Sequence, residues 1–173
     1  VAEEIFAPVG AYRTGYRPLT WTDIASVAPT EHDRFLRKQT LQGYVHDELA
    51  AFSGGVQGNA GLFSNAGDIA KVCQMLLNDG VYGGNRILSS ETARLFTTDK
   101  SPTCRRGLGF DKPDIENPDY SPTCDEASAE VFGHLGFTGT VFWVDPKYDL
   151  IFVFLTNRVY PTRDNAAFSR CNI

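Results

Sequence analysis

The sequence predicts an α+β domain in which an antiparallel sheet lies between layers of helix, with the fold incomplete in this fragment. Residues 140–144 and 150–155 are apolar on consecutive positions instead of alternating, as strands covered on both faces are. One segment, opening at Ser64 or Asn65, has the 3.6-residue periodicity of a helix that covers one such face. After Asn157 the chain turns polar and offers no helix for the other face.

Taken in order, residues 2–6 read as the tail of a helix that runs into a Pro- and Gly-bearing loop. Residues 19–57 carry weak signals: short polar stretches, Pro29 and a charged run over 31–38. They are expected to be loops with one short helix at most. Gly54, Gly55, Gly58 and Gly61 crowd four glycines into eight residues and mark a tight backbone passage. Next comes the clearest helix. Ser64 or Asn65 caps it, Asp68 suits its first turn, and Ile69, Val72, Cys73 and Leu76 form its stripe. Asn78-Asp79-Gly80 ends it through a left-handed turn. A second helix starts at Ser89-Ser90-Glu91, with Ala93, Leu95 and Phe96 following. Residues 105–110 are expected to begin a strand, and 111–129 form a long acidic loop containing proline. Residues 130–134 read as a short strand. The two long apolar strands are joined as a hairpin by Asp145-Pro146-Lys147-Tyr148-Asp149.

Composition narrows the function classes. With 42% hydrophobic and 12% aromatic residues in 173, the chain is no disordered segment. A net charge of −5 without a basic cluster gives no support for nucleic-acid binding. The longest purely apolar run, 150–155, is too short to span a bilayer, and no signal peptide opens the chain. The single methionine is Met75, so the sequence reads as part of a longer one. Cys73, Cys104, Cys124 and Cys171 form no C-x-x-C pair and have no histidine at zinc-site spacing, so no metal is expected. Cys104 and Cys124 each end a Ser-Pro-Thr-Cys tetrapeptide. An oxidising compartment would let them pair; free thiols are the favoured reading.

No self-sufficient catalytic signature is present. No serine is followed three residues later by lysine, no tyrosine is followed by x-Asn, and Phe52-Ser53-Gly54-Gly55 lacks the first glycine of a nucleophile elbow. The glycine-rich run matches neither a dinucleotide nor a phosphate loop, and no cofactor is expected. Glu31-His32-Asp33 and His46-Asp47-Glu48 match no ligand set and read as loop polar residues, as does Asn59. One segment stands apart, Gly133-His134-Leu135-Gly136-Phe137-Thr138-Gly139-Thr140. Its glycines would let a peptide-like ligand approach a sheet edge, and an N–H beside Gly136 could face a developing oxyanion. A Gly-kinked edge strand with a solvent-facing histidine is the alternative.

His134-Leu135-Gly136, followed by Phe137-Thr138-Gly139-Thr140 and a Trp-bearing hairpin, resembles the third motif of penicillin-recognising serine hydrolases. There, Lys-Thr-Gly is often His-x-Gly in the class C β-lactamase and esterase branch. Ile5-Phe6-Ala7-Pro8-Val9-Gly10 resembles that branch's "IFAPLGM" segment, and Gly107-Leu108-Gly109-Phe110 its "GLGW" strand. The stretch from Gly54 to Ser64, with Asp68-Ile69-Ala70 after it, is similar to "GGVAGHAGLFSTADDLA". Asn157-Arg158-Val159-Tyr160-Pro161 adds to a likeness with the β-lactamase-like part of bacterial chains that also carry a β-N-acetylglucosaminidase domain.

The resemblance implies a β-lactamase/transpeptidase-like three-layer αβα sandwich. Residues 1–173 would be its C-terminal portion, without the Ser-x-x-Lys nucleophile and base, the Tyr-x-Asn relay or a final helix. It implies that His134 assists the proton relay and the substrate carboxylate by hydrogen bonding or charge. Phe137 would lend its backbone N–H to an oxyanion hole, with Gly136, Thr138 and Gly139 shaping the substrate strand. Asn59 stands where many relatives have histidine. The expected activity is hydrolysis of a β-lactam, cell-wall peptide or ester through an acyl-enzyme, the fragment alone being inactive. The implied partners are a small-molecule or peptidoglycan-peptide substrate, the missing N-terminal half and a fused glycosidase domain, in the periplasm or cell envelope. A non-catalytic module that binds peptidoglycan or steadies a glycosidase is the competing expectation.

Overall fold

The computed structural model describes residues 1–98 and 101–165. A wide helical turn, Ala2–Phe6, opens the chain and buries Phe6. Then come β1 (Gly15–Tyr16), β2 (His32–Asp33), β3 (Gln39–Thr40), α1 (Glu48–Phe52), β4 (Leu62–Phe63) and α2 (Ala66–Leu77). They are followed by β5 (Val81–Tyr82), β6 (Asn85–Arg86), α3 (Ser90–Thr98), β7 (Phe132–Leu135), β8 (Thr140–Asp145) and β9 (Leu150–Leu155). The short strands pair two by two, β1 with β4, β2 with β3 and β5 with β6, while β7, β8 and β9 form an antiparallel sheet in that order.

Helix α2 is the central pillar. Asn65 caps it by accepting a hydrogen bond from the Asp68 N–H at 3.0 Å. Asp79 and Gly80, both at positive φ, end it, and the Gly80 N–H returns to the Met75 carbonyl at 2.8 Å. Met75, Val72 and Leu76 pack against Phe6, Val9 and Ala11. Cys73, Ile69 and Leu77 pack with Phe132, Val144 and Ile151 of the sheet. Burial pushes the Cys73 thiol up to about 12, so it behaves as a small hydrophobe. Cys104 and Cys124 are exposed free thiols, and Cys171 lies outside the described residues.

Register assigns the two faces of the sheet. Phe132 lies opposite Val144, which lies opposite Ile151, all on the α2 face. On the reverse face Trp143 lies opposite Phe152 and Val141 opposite Phe154. The sequence offers helix for one face of these apolar strands and none for the other, and the structure agrees: Leu150, Phe152 and Phe154 on the reverse face retain substantial exposure.

Two other expectations change. Residues 105–110 form no strand; the Gly107 N–H turns back to the Phe110 carbonyl, and pairing is confined to a bridge between Asp111 and Gly133. Residues 19–57 hold the one short helix allowed for, α1, but also the short strands β2 and β3 and a helical turn at Ile24–Ser26. In α3 the buried positions are Ala93 and Thr97, one turn apart, and Leu95 and Phe96 face outward. Among the described residues no helix is long and apolar enough to cross a membrane.

Candidate active site

A cleft of about 950 Å³ opens beside the end of β7, and Gly136, Phe137 and Thr138 form part of its wall. The turn that carries them is held by its carbonyls. Gly139 N–H donates to the Gly136 carbonyl at 2.9 Å, Arg158 Nε to that of Phe137 at 2.8 Å, and the Arg158 N–H to that of Thr138 at 3.0 Å. The Gly139 carbonyl accepts from the Thr156 N–H and from its hydroxyl. With the four carbonyls engaged, the Phe137 N–H has no acceptor among the described residues.

The glycines here serve the chain's own packing. A Cβ at Gly136 would collide with the Thr140 hydroxyl, and Gly139 has a φ of 104° with Thr156 Oγ1 2.6 Å from where its Cβ would stand. Close approach is thus intramolecular at both positions, and Gly136 also borders the cleft.

The facing wall is built from residues that read as ordinary loop polar groups. The His46 ring stacks on Phe137 with centroids 5.6 Å apart, and its Nε2 lies 2.8 Å from buried Glu31. Arg163 donates to Glu31 through its backbone N–H at 2.9 Å and its Nε at 3.0 Å, and reaches Glu48 at 2.7 Å. Burial alone would raise the Glu31 carboxyl; the bonds from Arg163 and His46 outweigh it and bring the group down to about 2. Glu48 is lowered chiefly by its bond from Arg163. Arg158 and Arg163 both lie over the Phe137 ring, at 4.6 and 5.8 Å from its centroid.

Behind His46, Arg37 donates to the carbonyls of Val45 and His46 at 3.0 and 2.8 Å. Asp33 in turn anchors Arg37 at 2.6 Å and accepts the N–H groups of Phe35, Leu36 and Arg37. Burial works against that carboxylate, and these bonds hold it well below the usual range. Asp47 lines the cleft but spends a carboxylate oxygen on capping α1, accepting from Ala50 N–H at 2.7 Å.

The glycine-rich passage closes a third side with Asn59 through Asn65. Gly61, at a φ of 109°, passes against the Gly55 carbonyl, where any Cβ would clash. Asn157 also borders the cleft; its amide donates to the Pro29 carbonyl, and its Oδ1 is buried with no partner among the described residues.

Of the residues singled out from sequence, Gly136, Phe137, Thr138, His46, Asp47 and Asn59 are brought to this cleft. His134 and Gly139 are not among its lining residues. His134 lies two residues before Gly136, on the α2 face opposite Phe142, with Nε2 2.8 Å from Arg106 and Nδ1 2.7 Å from the Leu135 carbonyl. Glu31 reads from sequence as a loop polar residue, and Arg158 and Arg163, which lie over the Phe137 ring, carry no sequence signal as site residues. For Arg106 the adjacent arginine was the one available hint, since two guanidinia side by side need a carboxylate, here Asp111.

The beta-lactamase family model matches residues 1–169. The chain belongs to the beta-lactamase family. A protein of Escherichia coli (strain K12) named "Putative D-alanyl-D-alanine carboxypeptidase" is 39% identical over 171 residues, covering 91% of this chain and 39% of the relative. A Bacillus subtilis (strain 168) protein named N-acetylmuramyl-L-alanine amidase is 41% identical over 126 residues, covering 71% of this chain and 28% of its own length. This beta-lactamase-family chain thus spans about two fifths or less of the curated relatives it matches.

Solved structures agree on the fold. A beta-lactamase from Mycobacterium bovis superposes with a TM-score of 0.54 at 23% identity, over 91% of this chain and 47% of that one. Simvastatin synthase from Aspergillus terreus gives 0.58 at 18%, over 97% and 46%. The chain is accordingly an α+β member of the beta-lactamase/transpeptidase-like fold, with carboxypeptidase-like relatives.

Proposed function

We propose that this chain supplies the oxyanion and substrate-strand wall of a serine hydrolase that cleaves an amide or ester through an acyl-enzyme. The observation that carries the reading is the Phe137 N–H. It borders the cleft without an acceptor, while every carbonyl of its turn is engaged. A backbone donor fixed in this way is preorganised for a charge that appears only in the transition state, and one such donor is worth about 3 kcal/mol. Gly136 and Thr138 flank it on the cleft wall, and Gly139 holds the turn's left-handed corner.

The substrate class proposed is a cell-wall peptide ending in D-alanine, with β-lactams and small esters as chemical relatives. Names among the relatives support it, as does the cleft's mixture of apolar and polar lining. Nucleophile and base would come from a Ser-x-x-Lys segment and the relay from Tyr-x-Asn, neither of which occurs among these residues. The 173-residue chain is then inactive by itself and works with the rest of the same domain. A fused glycosidase domain and a periplasmic or cell-envelope location belong to the same proposal. Because a fold can outlive its chemistry, a second reading is a peptidoglycan-binding module without catalysis.

Intact-mass measurement after incubation with a fluorescent penicillin tests the proposal. The 173-residue chain should gain no mass, and a chain that also carries Ser-x-x-Lys should gain one penicilloyl group. A covalent adduct on the 173 residues alone would sink the first claim. No adduct on the longer chain would favour the binding module.

A further inference from the structure

Phe137 is 58% exposed, and in a turn bounded by Gly136 and Gly139 such a residue is ordinarily free to swing. Here it is held at three points. Its N–H shares a peptide plane with the Gly136 carbonyl, which accepts from the Gly139 N–H at 2.9 Å, so the N–H must point the opposite way. Its own carbonyl accepts from Arg158 Nε at 2.8 Å. Its ring is stacked against the His46 ring, with centroids 5.6 Å apart and planes 26° from parallel, in the range of an offset aromatic pair. The first two holds lie on either side of the residue in the backbone. The third is the one that fixes the residue between them.

The stack is unequal. His46 is 8% exposed, and its own position is set without any help from Phe137. Its Nε2 lies 2.8 Å from the buried Glu31 carboxylate. Its carbonyl and that of Val45 both accept from Arg37, which Asp33 anchors at 2.6 Å. On either side Val45 is buried and Asp47 caps α1. Arg163 ties Glu31 to Glu48, so the whole 45–48 segment is fastened to one carboxylate. A buried ring fixed by three separate bonds orders the exposed ring that leans on it, and not the reverse. The run His46-Asp47-Glu48, which matches no metal-ligand set, thereby acquires a different use.

We propose that His46 is a positioning residue for the reaction: its ring, fastened to Glu31, holds the Phe137 ring and so keeps the Phe137 N–H aimed into the cleft. The consequence for turnover rests on the hydrolase reading above, whereas the hold on Phe137 does not. A donor that must meet an oxyanion formed only in the transition state gains from being fixed in advance. Loosening it leaves substrate binding nearly untouched and slows the chemical step. The contact that does this is aromatic, so it survives exchange of His46 for another ring and is lost when only the hydrogen bond to Glu31 is kept.

Nitrogen-15 relaxation of the 173-residue chain decides the hold on Phe137. The Phe137 amide should have an order parameter near that of ordered backbone, about 0.85, and His46→Gln should lower it toward about 0.6. His46→Phe should keep it high. A Phe137 amide that is mobile in the unmodified chain, or one unmoved by His46→Gln, overturns the proposal. Should His46→Gln fail to fold, Phe137→Leu removes the same stack from the other side and is read at the residue 137 amide. For turnover, kcat and KM for an acyl-D-alanyl-D-alanine are measured on the chain that also carries Ser-x-x-Lys. His46→Gln should lower kcat about 10-fold or more with KM within about twofold, and His46→Phe should recover most of the loss. A raised KM at unchanged kcat, or equal losses in both variants, overturns the positioning role. Inactivity of the unmodified enzyme overturns the hydrolase reading and leaves the relaxation result standing.

Discussion

At Glu31, one carboxylate buried to 5% exposure is asked to satisfy His46 and Arg163 together. Its pKa falls from the ordinary 4.5 to about 2 on folding. A group whose pKa is depressed in the folded state stabilises that state above its unfolded value and loses the contribution as pH drops toward the folded one. The window is therefore pH 4.5 down to 2, and the contribution lost across it is of order 3 kcal/mol. Urea unfolding at pH 7 and pH 3 measures this. Glu31→Gln should be less stable at pH 7 and should lose much of the chain's acid sensitivity; an unchanged pH dependence would remove Glu31 from the account. This cluster was not legible in the sequence. Glu31 and His46 are 15 residues apart and Glu31 and Arg163 are 132, and a polar loop residue carries no periodicity to announce a distant partner.

The turn between β7 and β8 shows how one element can answer to more than one demand. Its glycines mark a place of close approach, and within the chain that approach is made by the side chains of Thr140 and Thr156. Gly136→Ala should cost about 1–3 kcal/mol through collision with the Thr140 hydroxyl. Thermal unfolding checks it, with Gly136→Ala/Thr140→Val as the companion: if the lost hydroxyl brings no recovery relative to Thr140→Val alone, the clash is not the cause. By contrast α2 and the hairpin after β8 were legible almost to the residue. Asn65, the stripe from Ile69 to Leu76, and Gly80 act within a few residues of one another, and so do Asp145, Pro146 and Asp149. The strand expected over 105–110 failed for the opposite reason. Arg105 is turned inward to Asp111 and Arg106 toward His134, and such side-chain partners outcompete strand pairing without leaving a mark on hydropathy.

For the whole molecule, α2 divides the interior into a core with the N-terminal turn and a core with the sheet, Leu76 touching both. The layered α+β architecture could be inferred from the apolar strands, while the open reverse face of β9 follows from how many helices are at hand to cover it. The cleft is assembled from stretches that sequence alone could not bring together, among them 45–48, 59–66, 136–138 and 155–157.

The bond between Arg163 and Glu31 has a further consequence, in time rather than in space. Closing a loop of 132 residues is entropically costly, and contacts of that separation form after the local ones, once the folding barrier has been crossed. Stopped-flow kinetics of Arg163→Ala should then show a folding rate close to that of the unmodified chain and an unfolding rate raised several-fold. A variant that instead folds slowly would place this link in the nucleus. If the link forms last and opens first, the wall carrying His46 and Phe137 is the part of the molecule with the shortest lifetime, so the site comes apart before the fold does.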